Sequence, residues 1–116
     1  MKRNCWRFDI RTVSEANFRE HWASRVRRKK AQQRETGFVW RALGIRVALP
    51  AVITFTRHSS QLLDSDNLAG AFKHVRDEIA RQIGIDDGDP QIEWRTEQVR
   101  ENRKVNYFTV TVEERE

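Results

Sequence analysis

Cys5 is the chain's single cysteine, so no intramolecular disulfide can form and no cysteine-based zinc centre can be assembled. A catalytic thiol would want a histidine partner, and nothing near Cys5 marks one; the residue reads as a spectator in a reducing compartment. Apolar runs are short, and none approaches the roughly 20 residues that a membrane span needs. The basic N-terminal residues lead into no apolar stretch of signal-peptide length, so the expectation is a cytoplasmic protein with no membrane partner. Internal repeats, low-complexity stretches and an interdomain linker are missing too, which predicts one domain over residues 1–116.

Charge is what the chain has in plenty. Lys and Arg number 22 against 17 Asp and Glu, a net charge of +5 with a pI near 10.0. Such an excess favours a polyanionic partner, because every phosphate neutralised by Lys or Arg releases a condensed counterion. Many basic proteins meet no nucleic acid, so charge alone leaves that choice open. Four Trp and six Phe argue for a packed core and against disorder. A core in a chain this short is modest, and a homo-oligomer is a natural way to cover more surface.

Periodicity divides the chain into six elements. Residues 5–13 alternate, with Trp6, Phe8, Ile10 and Thr12 on one side, as in a half-buried strand. Ser14 is placed to cap a helix that follows, with Phe18, Trp22, Val26, Phe38 and Val39 as its sparse apolar positions and a weaker pattern towards Gly37. Within it Arg25, Arg27, Arg28, Lys29 and Lys30, with Arg34 beyond, cannot all share one helix face at ~100° per residue. They form either a solvated face or a phosphate-tracking surface. After Gly44, residues 45–57 read as a strand that Pro50 interrupts, at an edge or a bulge, and 58–61 as a polar connection. Asp66 or Asn67 is the expected N-cap of the clearest helix, whose Leu68, Ala71, Phe72, Val75, Ile79 and Ile83 recur at three- and four-residue spacing before Gly84 ends it. Residues 85–90 make an acidic turn, and strands over 92–98 and 107–112 complete the count, the second with Phe108, Val110 and Val112 on one face. The order predicts an α/β or α+β fold, a mixed sheet of about four strands packed with two main helices.

Carboxylates gather at both ends of that helix: Asp64 and Asp66 before it, Asp86, Asp87 and Asp89 after it. Clustered like charges repel unless a cation neutralises them, and Mg²⁺ takes oxygen ligands while keeping several waters. An i, i+2 pair in extended backbone points to one side, so Asp64 and Asp66 could share an ion there. A calcium loop starting at Asp64 is excluded, because its fifth and sixth positions are Leu68 and Ala69. A glycosidase pair lacks any sign of a sugar cleft. The plainer alternative is that Asp66 caps the helix and residues 86–89 are a solvated turn.

The stretch Leu63-Asp64-Ser65-Asp66-Asn67-Leu68 resembles the Asp-x-Asp-Asn-Leu signature of the RusA-type Holliday-junction resolvases, and Asp86-Asp87-Gly88-Asp89-Pro90-Gln91-Ile92 resembles that family's Asp-Asp-x-Gln-Val/Ile segment. The likeness spans residues 47–113, and before that only the order of elements agrees. It implies a homodimeric endonuclease dependent on Mg²⁺, with Mn²⁺ as the alternative ion, that cuts branched DNA in recombination and repair and is often carried by phages or prophages. Carried over residue by residue, Asp64 and Asp66 are metal ligands, with Asp87 or Asp89 as the third and Asp86 behind them. The family's catalytic lysine falls four residues after the second aspartate, where this chain has Gly70. Lys73, one helical turn further along, either reaches back to replace it, or the activity is altered or lost; His74 reads as a bystander. Arg57 and the basic run from Arg25, Arg27 and Arg28 to Lys29 and Lys30 are the expected DNA contacts. Two other classes stay open: a non-catalytic DNA-binding module of the same fold, and a protein-interaction domain.

Overall fold

Alternation at the start of the chain produces a strand, though a shorter one than its pattern suggests. In the computed structural model, which describes residues 3–14 and 22–115, β1 runs over Arg3–Phe8 only. Ile10 and Thr12 stay buried after β1 ends, because the side chain of Asn106 pairs with both backbone groups of Thr12 as a neighbouring strand would. The helix that follows, α1, covers Trp22–Ala42; the expected cap contacts of Ser14 and the position of Phe18 fall on or against residues outside the described set.

The inward side of α1 is not the apolar one. Gln32, Thr36, Gly37 and Trp40 are buried, whereas Trp22, Val26 and Phe38 are exposed. Small size decides this, since a Cβ on Gly37 would lie 2.8 Å from Glu78 Oε2. The bare backbone lets α1 approach the helix that carries Glu78, and so the helix continues through the weak stretch.

Pro50 marks a beginning rather than an interruption. Residues 45–50 form no strand, and β2 runs from Ala51 to Ser59, into the 58–61 stretch expected to be a connection. The long helix expected over 68–83 is two: α2, Ser65–Ala71, and α3, Lys73–Ile83, meeting at Phe72. The break follows from packing. Phe72 is 1% exposed, stacked on Phe55 at 5.1 Å and edge-on to Phe108 at 5.3 Å. Its N–H bonds the Ala69 carbonyl, three residues back, and this tightened turn drives the ring into the core. Gly84 closes α3 in the left-handed conformation (φ 90°), as expected.

Strands β3, Ile92–Arg100, and β4, Asn106–Glu114, complete a four-stranded sheet of order β1-β4-β2-β3. β2 and β3 are parallel and the other pairs antiparallel, so the sheet is mixed and the fold α+β, with three helices in place of the two expected. Phe8, Ile53, Phe55, Phe108 and Val110 meet Phe72, Val75, Ile79 and Trp40 in one core. On β2 the inward parity is Ala51, Ile53, Phe55, Arg57, Ser59, which puts a guanidinium on the same side as the core aromatics. No helix among the described residues is long and apolar enough to cross a membrane.

Candidate functional site

Asp64 and Asp66 stand where β2 has ended and α2 begins. The connection is fixed from β3: Gln98 Nε2 donates to the Leu63 carbonyl at 2.6 Å, and Gln98 Oε1 accepts from the Leu63 N–H at 3.0 Å. Asp64, not Asp66 or Asn67, is the N-cap of α2. Its Oδ1 accepts from the Asn67 N–H at 2.9 Å and its Oδ2 from Asn67 Nδ2 at 3.1 Å. The backbone is extended at Asp64 but helical at Asp66, so the pair does not have the strand-like i, i+2 relation considered from sequence. Asp66 is exposed and has no ion-pair or hydrogen-bond partner among the described residues.

The acidic turn is arranged differently. Asp89 Oδ1 accepts from the backbone N–H of Gln91 at 2.9 Å, and the Asp89 N–H bonds the Asp86 carbonyl at 3.0 Å. Trp94 on β3 donates its indole N–H to the Asp87 carbonyl at 2.9 Å, tying the turn to the amino-terminal half of β3. The Asp87 carboxylate is exposed and holds only a long pair with Arg76 at 3.5 Å; Asp86 is exposed. Leu63 is joined to Gln98 near the other end of β3, so the two acidic segments lie against different stretches of that strand. Among the described residues no three His, Cys, Asp or Glu side chains gather closely enough to hold one metal ion. Mg²⁺ is commonly held by one or two carboxylates plus substrate phosphates, and the Asp64 and Asp66 pair supplies two carboxylates. It does not by itself make the three-carboxylate set that the resemblance implies.

Lys73 opens α3 and is exposed, but the turn at Phe72 separates it from α2, so Asp66 and Lys73 do not share one continuous helix face. Gly70, where the resembling family has its lysine, sits in open space: a Cβ there would meet nothing within 4 Å. On α1, Arg25, Arg27, Lys29 and Lys30 are exposed and Arg28 is half-buried. Part of that basic surface borders a cleft of about 560 Å³ between α1 and α3, where Lys30, Arg34, Arg41 and Arg81 face Asp77 and Glu78. Glu78 is 3% exposed and engaged by Arg81 and Gln82, so the two acids offset part of the cleft's positive charge.

Arg57 is the surprise. It is 5% exposed, with Nε bonded to Thr12 Oγ1 at 3.1 Å and Nη1 to the Gln61 carbonyl at 2.7 Å. Burial, and then the charge of Arg11, push its guanidinium below the ordinary value. It remains a cation at neutral pH. It lines a second cleft, of about 570 Å³, with Arg11, Ser14 and Lys104. The sequence pointed to Arg57 as a DNA contact and to Ser14 only as a helix cap, and marked neither Arg11 nor Lys104 as a site residue. Arg57's inward parity with Ile53 and Phe55 was a readable signal of its burial, while the others arrive from distant segments.

No protein family matches this sequence, and neither does any curated protein.

Proposed function

We propose that the protein is a divalent-metal-dependent endodeoxyribonuclease of the RusA type, acting on Holliday junctions or other branched DNA. One observation carries this reading. Asp64 and Asp66 follow the carboxyl end of β2, whose parallel neighbour is β3, and open α/β sheets bind ligands in the crevice beyond such strand ends. The Arg57 cleft adjoins the pair through Leu63, which lines it.

Asp66, with no partner among the described residues, would be the primary ligand for Mg²⁺ or Mn²⁺, and Asp64 would add its remaining lone pairs while it caps α2. Neither Asp87 nor Asp89 gathers with the pair among the described residues, and Asp87 is the freer of the two. Asp89 already accepts from two Gln91 nitrogens, at 2.9 and 3.4 Å, whereas Asp87 would give up only its long contact with Arg76. The ion, when bound, stabilises charge that develops on the scissile phosphate. Arg57 adds fixed positive charge beside the pair, and exposed Arg25, Arg27, Lys29 and Lys30 on α1 offer a further surface for DNA arms. A homodimer would present two such sites to a junction of two-fold symmetry.

The test is cleavage of a synthetic four-way junction. Mg²⁺-dependent cutting in preference to duplex is expected, reduced about 100-fold or more in Asp66→Asn with folding unchanged. A protein that binds the junction but cuts under neither Mg²⁺ nor Mn²⁺ overturns the enzyme reading. That outcome favours a second one, a non-catalytic DNA-binding module, whose own support is Gly70 and the break at Phe72 between Asp66 and Lys73. Binding with no junction preference and no salt dependence would point instead to a protein-interaction domain.

A further inference from the structure

A buried cation usually has a buried anion beside it, because an uncompensated charge in a poorly hydrated site is costly. Arg57 has none among the described residues. Its hydrogen-bond partners are the hydroxyl and carbonyl of Thr12 and the Gln61 carbonyl, all neutral. Three of the five guanidinium N–H groups are used in these bonds, the third of them long at 3.5 Å, which leaves two.

The cleft that Arg57 lines concentrates this imbalance. Arg11 and Lys104 border it, both exposed, and among the described residues that line it none is acidic. The α1–α3 cleft is of similar size and has its own Asp77 and Glu78 among its cations. Ser14 gives a second, independent sign. Its Oγ is buried and has no hydrogen-bond partner among the described residues, yet it lines the same basic cleft. Buried hydroxyls usually have a partner, so this one is open to a ligand's acceptor or donor. Ser59, buried on the same inward parity of β2 as Arg57, adds another hydroxyl to the lining.

We infer that the cleft of Arg11, Ser14, Arg57 and Lys104 is a seat for one backbone phosphate of the DNA, next to the Asp64–Asp66 pair. Two exposed cations and one buried cation supply the charge, and Ser14 supplies a hydrogen bond to a phosphate oxygen. Leu63 lines the cleft and Asp64 follows it in the chain, so a phosphate held there brings its strand alongside the acidic pair. The inference rests on the DNA reading above but needs no metal. Arg57 itself is a poor probe, because it also pins the segment around Thr12. Arg11 and Lys104 are exposed and can be changed without touching the core.

The experiment is binding of a fluorescent four-way junction in EDTA, where no cutting occurs, as a function of salt. Arg11→Ala and Lys104→Ala are each expected to weaken binding about three- to tenfold for any base sequence, and to lower the slope of log affinity against log salt by about one. Ser14→Ala should weaken binding by a smaller factor and leave the slope unchanged, since it removes a hydrogen bond and no charge. Wild-type affinity and slope in both charge variants would overturn the seat, even if the protein cuts DNA with Mg²⁺. Loss of affinity and slope in a protein that never cuts supports the seat and refutes only the nuclease reading. No binding of the junction at all overturns both.

Discussion

The two acidic segments are chemically alike and structurally unlike. Asp64 and Asp66 open α2 beyond the end of β2, next to a cleft with unpaired positive charge, and Asp66 is held by nothing among the described residues. Residues 86–89 make a turn whose Asp89 is consumed in bonding the chain that follows and whose Asp87 backbone is tied to Trp94. A carboxylate that already satisfies local N–H groups stabilises its own loop; one without partners is available to an external cation. Sequence clustering cannot tell these states apart.

The largest test of that contrast is activity. Asp66→Asn is expected to cut cleavage of a four-way junction about 100-fold or more, and Asp87→Asn to cost more activity than Asp89→Asn. Equal losses at Asp87 and Asp89, with folding intact, would show that the turn rearranges as a whole. Stability should separate the same residues in the opposite order. Asp64→Ala and Asp89→Ala are each expected to cost about 1 kcal/mol in denaturant unfolding, from the lost helix cap and the lost turn bond, whereas Asp66→Asn should be neutral. The smallest effect concerns Gly70. Because a side chain there meets nothing within 4 Å, Gly70→Lys should stabilise the protein by up to about 0.7 kcal/mol through helix propensity. It should also raise cleavage if a lysine near Asp66 is what limits this chain, and an unchanged rate would show that Lys73 or an arginine already serves.

Much of the fold could be read from the order of residues. Alternation found Trp6 and Phe8 on β1 and Phe108, Val110 and Val112 on β4, and the three- and four-residue spacing found Val75 and Ile79 as the buried face of α3. Gly84 as a helix end was equally clear. These features depend on neighbours a few positions apart, which a sequence displays directly. The inward face of α1 was misread because close approach of two backbones at Gly37, not apolar content, decides which side is buried.

Of the site, the sequence by itself determined the carboxylates, their spacing and the basic excess. Tertiary structure alone decided which of them are free. The division of one helix into α2 and α3 comes from Phe72 packing between Phe55 and Phe108, residues far from it in the chain. The basic cleft comes from β1's extension, β2 and the end of the β3–β4 connection meeting at Arg57, through bonds such as Arg57 to Thr12 that span 45 positions. Long-range pairing and core packing set those positions, and no local pattern encodes them.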